Sequence, residues 1–412
     1  MTRPRRRSAA GRAVLTVVTA LGVLAGAALT GAAPAGAAPA GRRLAPGVTY
    51  RQFDIDGAAG KARAHLLTVD LANPHVHVDL LYPGAVAARA TVSRLADSAG
   101  AVAGVNGDFF NITETQHPGV QATGAAVGPA VADGRVLKAA VPKGQRFGPA
   151  LPPGTTTRDV FGVGTDRRAR LDRLSLSGSV GTPEGRLPLK GLNQYALPVD
   201  SVGAFTVRWG SASRARAVCG TDTRRAAPCS DDTYEVKVRG GRVVSATAAP
   251  GSGSIPADTT VLLGREEGAR RLRELSVGDP VDVTHTLVAA SSGVPYAFAI
   301  GGFPVLRDGS PLSGLDDSTS AVRTVVGYKG GGQQMLLLAL DGSAKYRSGL
   351  TVAEEAKTMR SLGATAAFNL DGGGSTELVA RDTDAAAVTV RNHPSGGAER
   401  PVPNGIGVFS TG

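Results

Sequence analysis

Apolar runs in the body of this chain are short and repeatedly cut by glycine or proline, which dictates many strands and turns rather than long helices. The 412 residues include 56 glycines and 25 prolines. Within residues 63–81, His65-Leu66-Leu67-Thr68-Val69 and His75-Val76-His77-Val78-Asp79-Leu80 read as strands, with Asn73-Pro74 as the turn between. His75 and His77 share one strand face, where a solvated surface outweighs a metal because no third ligand is placed nearby.

The first 37 residues read as an export signal. Arg3, Arg5, Arg6, Arg7 and Arg12 precede an apolar run over residues 13–29, and Ala35-Gly36-Ala37 offers a small-x-small site with cleavage near Ala37. The run is Gly-, Ala- and Thr-rich and short for an uncleaved anchor, and no later stretch approaches the roughly 20 apolar residues of a span. The mature chain is therefore expected to be secreted or held in the cell envelope, without a stable membrane span. Losing those five arginines lowers the formal charge from +11 to +6. The basic residues are spread and aromatics scarce, which argues against nucleic acid as a partner, while a mild positive field suits an anionic polymer or phosphorylated glycan. Cys219 and Cys229, the two cysteines, are expected to pair with each other as a local staple.

Residues 91–99 predict a helix, and residues 101–106 a buried strand running into Gly107-Asp108-Phe109-Phe110-Asn111, a natural lip for a site. Residues 322–328 and 334–340 predict a hairpin across Lys329-Gly330-Gly331-Gly332. Thr351-Val352-Ala353-Glu354 then matches a capping box opening a helix that stops near Gly363, and residues 364–370 form another apolar strand. This order predicts a βαβ unit, whose parallel strands end Leu340-Asp341-Gly342 and Leu370-Asp371-Gly372 and so deliver both aspartates to one carboxyl edge. Directly paired strands would set the carboxylates about 5 Å apart, and an intervening strand about 10 Å. Those separations correspond to retaining and inverting glycoside hydrolysis.

After Asp371, Gly372-Gly373-Gly374-Ser375-Thr376 permits positive φ and inward-turned amides that hold an anion, with two hydroxyl donors added. A plain hairpin turn is the bland alternative. Asn369 on the same strand and the flanking hydroxyls favour a site.

Several motifs, taken in order, resemble those of the phosphodiester glycosidase family: Asn-Gly-Asp-Phe-Phe-Asn at 106–111, Gly-Gly-Phe-Pro-Val-Leu-Arg-Asp-Gly at 301–309, Arg323 to Tyr328, Leu340 to Gly342, Ser348-Gly349, Glu354, the run from Asn369 to Thr376, and residues 399–409. The resemblance implies a hydrolase that removes a sugar, N-acetylglucosamine-like in the best-known case, from a phosphodiester. The chemistry of such a reaction then gives Asp371 the role of base or nucleophile, with Asp341 as the second carboxylate. The resemblance implies that Asn106, Arg323, Asp341, Asn369, Asp371, Gly372, Gly373, Gly374, Ser375, Thr376 and Arg400 line the substrate pocket, and Asp108, Ser348 and Asn392 are expected to bind substrate with them. The family often has Gly at Asp108 and Arg at Ser343 and His393, so Lys345 or Arg347 is expected to supply the missing charge. No cofactor is called for, and a divalent cation between Asp108 and Asp371 is the one option left open.

Together these readings give an α+β fold with a mixed β-sheet core, flanking helices, a βαβ unit and a β-rich insertion. The expected segments are a signal over 1–37, catalytic parts over 38–152 and 289–412, and the insertion over 153–288 carrying the disulfide. A non-catalytic cell-wall or glycan-binding module and a metal-dependent phosphodiesterase are the competing functions.

Overall fold

The computed structural model describes residues 41–411, so the expected export signal and its cleavage near Ala37 lie outside the described residues. Glycine-punctuated runs become three β-sheets accompanied by three α-helices among those residues, Val92–Ala99, Glu267–Leu272 and Val352–Ser361. None of these helices is long and apolar enough to cross a membrane.

The first sheet has eight strands in the order Arg42–Ala45, Val48–Gly57, Gly60–Asp70, Gln334–Leu340, Thr324–Lys329, Ala366–Asn369, Phe303–Arg307 and Ser310–Pro311. Every neighbouring pair in it is antiparallel. The expected hairpin forms across a 3-10 turn at Gly330–Gly332. It also decides between the direct pairing and the intervening strand that the strand–helix–strand reading left open. Closing the short loop seats Thr324–Lys329 beside Gln334–Leu340, and the far edge of Thr324–Lys329 then takes up Ala366–Asn369. Helix Val352–Ser361 thus joins two strands that are parallel but separated by a third, not directly paired. The helix itself begins as its sequence dictates, with Thr351 accepting from the Glu354 amide and the Glu354 carboxylate accepting from Thr351. Gly363 follows its end at φ 86°.

The second sheet has eleven strands and draws mostly on residues 153–288, with Ala130–Ala132, Arg135–Lys138 and Tyr296–Gly301 joined to it. It supplies the one parallel pairing among the described strands, Gly185–Leu192 with Val202–Phe205. Val180, Leu189, Val236, Leu262 and Leu272 form a core of their own there, yet Phe205, Trp209, Val261 and Leu263 belong to the main core with Leu66, Val105, Leu337 and Phe368. Cys219 and Cys229 are bonded to each other. The third sheet orders Thr389–Val390, Leu378–Ala380, Ala103–Asn106, Gly405–Ser410 and Val76–Leu81. The Asn73-Pro74 turn therefore passes the chain from one sheet to another. His75 and His77 are both exposed, and the His77 ring stacks on Phe409 with centroids 4.6 Å apart.

Candidate active site

Asp341 and Asp371 leave the carboxyl ends of two strands that run the same way, so both lie at one edge of the first sheet with Thr324–Lys329 between them. Two strand spacings make that separation about 10 Å. Against this edge the third sheet delivers Asn106. Its side-chain amide donates to the Asp371 carbonyl at 2.7 Å and its oxygen accepts from the Thr324 hydroxyl at 2.6 Å and the Glu377 amide at 3.0 Å. The Asp371 amide donates to Gly107 at 2.8 Å. Asn106 is fully buried, and its polar atoms serve to lock the two sheets where Asp371 emerges.

The glycine segment folds as a 3-10 turn over Gly373–Ser375. Most of its amides are spent inside the protein: Gly372 on the Asp371 carboxylate, Gly373 on Val322, Ser375 on Gly372 and Thr376 on Gly373. The Gly374 amide is left without a protein acceptor among the described residues. Gly373 sits at φ 59°, where a Cβ would meet nothing within 4 Å, so the turn faces open space. Gly374 has the opposite constraint, because a Cβ there would strike the Arg400 guanidinium. Arg400 lies across the turn and donates to the Ser375 hydroxyl at 3.3 Å.

Charge converges on Asp371, which is half-buried. Burial pushes its carboxyl up to about 7; the Ser375 hydroxyl, the Gly372 amide and Arg400 pull it down, and Asp108 pushes it further up. Asp108 is itself buried, with one oxygen accepting from the Gly128 amide at 2.6 Å and the other without a partner among the described residues. Burial raises Asp108 and lowers the buried Lys138 ammonium that faces it. Lys138 donates to the carbonyls of Val127, Gly128 and Ala139. Arg146 feels both carboxylates, and its guanidinium lies 5.1 Å from the Phe109 ring centroid and 5.9 Å from that of Phe303. Asn369 pairs in register with Phe303, and both of its buried side-chain polar atoms lack a partner among the described residues, as does the Thr376 hydroxyl. Buried polar groups without partners are rare, and here they flank Asp371 in the sequence on either side.

The remaining residues separate. Arg323 donates to the carbonyls of Leu350 and Thr319 at 2.9 and 2.7 Å. Asn392 clamps strands, accepting from Leu378 and donating to Leu340 and Thr376. Ser348 lies beside the Gly57–Gly60 turn rather than Asp371. Asp341 is buried and accepts from His65, from the His393 ring and amide, and from the Ser343 amide. Burial would raise its pKa, but His393 and Ser343 hold it well below the usual carboxylate range. As for metals, the described group of suitable spacing is His117 with Cys219 and Cys229, whose thiols are consumed by the disulfide. The cations facing Asp108 are protein groups, Lys138 and Arg146.

A cavity of about 310 Å³ borders this edge, lined by Pro149, Leu151, Phe303, Asp316, Thr319 and Val352. Larger cavities lie elsewhere, including one of about 530 Å³ around Asp172, Arg307 and Tyr328 at the other end of the same strands. Neither space is lined by Asp371, Asp108 or Arg400, so converging charge rather than cavity size marks this edge.

Residues 232–409 match the model of a known family. That family is described as phosphodiester glycosidase. The match takes in Arg323, Asp341, the segment from Asn369 to Thr376, and Arg400, as the motif resemblance implied. Among solved structures, the chain is similar to a hypothetical protein from Synechocystis, with TM-score 0.66 and 20% identity over 89% of this chain and 62% of that one. It is also similar to a Burkholderia pseudomallei protein described as exported, with TM-score 0.65 and 22% identity over 86% and 75%. A zebrafish N-acetylglucosamine-1-phosphodiester alpha-N-acetylglucosaminidase catalytic domain, auto-inhibited by its pro-peptide, aligns at TM-score 0.43 and 15% identity over 89% and 84%. The chain thus spans less than two thirds of the Synechocystis chain. No curated protein matches it.

Within the matched segment the strand-end motif is readable in the sequence, but its cationic neighbour is not. Arg146 precedes the matched residues and sits in a Gly- and Pro-bearing loop with no motif to mark it. Glu377 and Glu399 were missed as a pair. Burial and the neighbouring Glu399 raise Glu377 to about 9, so it keeps a proton to share with Glu399, which in turn accepts from Ser93 at 2.6 Å. His65 and Tyr50 gave no signal either, since their link to Asp341 is purely tertiary.

Proposed function

We propose that this chain is an exported hydrolase that removes a sugar from a sugar-1-phosphodiester, an N-acetylglucosamine-like sugar being the first to test. The observation that carries the reading is Asp371, a half-buried carboxyl raised to about 7 with the charges of Arg400 and Arg146 bearing on it. Such a carboxyl is close to half ionised at neutral pH, which suits a general base. In the proposed step the bond from the anomeric carbon to the phosphate oxygen breaks, and its electron pair leaves with the phosphate monoester. A water oxygen bonds the anomeric carbon, and Asp371 takes the water proton. Arg400, Arg146 and the Gly374 amide hold the phosphate oxygens as charge gathers there. Phosphate is a good leaving group, so little help from an acid is required. The export reading is supported by the Cys219–Cys229 bond, which belongs to oxidising compartments.

The test is hydrolysis of a sugar-1-phosphodiester panel in heavy-oxygen water. The expected product carries the label on the sugar, and Asp371→Asn slows release by about a hundredfold or more. Label on the phosphate would instead favour a phosphodiesterase, and near-normal turnover in Asp371→Asn would remove that residue from the reaction.

A further inference from the structure

Beside the Asp371 centre, the same sheet edge carries a second array that this reaction does not use. The Tyr50 hydroxyl meets His65 Nδ1 at 2.8 Å, His65 Nε2 meets Asp341 Oδ2 at 3.2 Å, and His393 Nδ1 meets the same Asp341 oxygen at 2.8 Å. Tyr50 is half-buried, His65 and Asp341 are buried, and the His393 side chain is 74% exposed. The chain of donors fixes the tautomers. Burial lowers His65, leaving its Nδ1 to accept from the phenol and its Nε2–H to donate to Asp341, so His393 is a second donor to one ionised carboxylate. His393 Nε2 therefore points away from its anchor, free for a ligand, on a ring that cannot turn without losing its bond. The backbone holds this loop too, because the Gly342 amide donates to the His393 carbonyl at 2.8 Å. Around the ring the charge is mainly basic. Arg63 bears on Asp341 and His65, Arg391 and Arg42 bear on Tyr50, and exposed Lys345 and Arg347 rise from the loop beside it. Asp54 and Asp382 neutralise part of this, pairing with Arg63 and with Arg42 and Arg391.

We propose that His393 is a specificity residue of the leaving-group subsite, recognising an additional anionic group, such as a second phosphate, on the portion that departs with the phosphate. Asp341, His65 and Tyr50 are its positioning residues. This rests on the reading above, and distance fixes the assignment. With the anomeric carbon at Asp371, a point two strand spacings along the edge, about 10 Å away, lies beyond the scissile phosphate. Lys345 and Arg347 supply the surrounding field.

Two measurements test it. The first compares a sugar-1-phosphate methyl ester with the matching glycerol-phosphate ester, whose aglycone bears a second phosphate. The native protein should favour the latter, and His393→Gln should raise KM for it about tenfold more than for the methyl ester, with the larger effect in KM rather than kcat. Asp341→Asn should give the same split more weakly. Equal losses on both substrates would overturn the proposal. The second measurement does not require turnover: imidazole nitrogen NMR of the native protein titrated with glycerol phosphate. A saturable shift at His393 Nε2 supports the subsite even if no substrate is hydrolysed, in which case only the glycosidase reading fails. An unmoved His393 resonance overturns the subsite even if hydrolysis is robust.

Discussion

Water withdrawn from a carboxyl group raises its pKa, while each donor left behind lowers it, and Asp371 shows both effects at once. If Asp371 is the base, kcat/KM should rise with pH along a limb centred near 7. Arg400→Gln removes a cation that pulls the group down, so that limb should move to higher pH; Asp108→Asn removes an anion that pushes it up, and the limb should move lower. Both variants shifting the same way in a pH–rate profile would contradict the assignment. Glu355 provides a parallel test in stability. Both of its oxygens are buried without a partner among the described residues, and burial raises its pKa from 4.5 to about 8 against the nearby Arg323. Between those values the unfolded chain has released the proton and the folded chain still holds it, so stability falls as pH rises through this window. Glu355→Gln should flatten that decline, read as a smaller loss of Tm from about pH 5 to about pH 9.

Helix Val352–Ser361 shows what local sequence can specify. Its capping box was legible because both reciprocal bonds are made within four residues, and Thr351→Ala should cost about 1 kcal/mol in urea unfolding. The Glu354 carboxylate also accepts from the Ala58 amide at 2.6 Å, tying the helix start to a distant hairpin turn. Glu354→Ala should therefore destabilise more than Thr351→Ala, a ranking the same melts would check. Strand partners were less legible. The short apolar runs at 324–329, 334–340 and 366–369 declare strands, but whether the last pairs with the second or with the first depends on which edge is free after the hairpin closes. That is a tertiary question, and it decided the spacing of the two aspartates.

Across the whole molecule, the candidate site exists because two sheets meet. The motif at residues 369–376 could be read in the sequence since it is contiguous, whereas Arg146, Lys138 and the Tyr50–His65 link come from distant segments that carry no local pattern. Asn106 stands between these cases: its motif marked it, yet its bonds are structural. Its one side chain bridges the Asp371 carbonyl, the Thr324 hydroxyl and the Glu377 amide. Asn106→Ala would leave a buried hydroxyl and a buried amide without their acceptor and a carbonyl without its donor, a loss on the order of 3 kcal/mol. Asn106→Asp keeps the acceptor but removes the donor and buries a charge, so it should rescue little. The distinguishing readout is where the damage falls. Loosening the junction should disturb Asp371 before it unfolds the sheets, so activity in Asn106→Ala should drop at temperatures where circular dichroism still reports native strands. Activity and structure lost together on heating would mean that the junction supports the fold without specifically positioning Asp371.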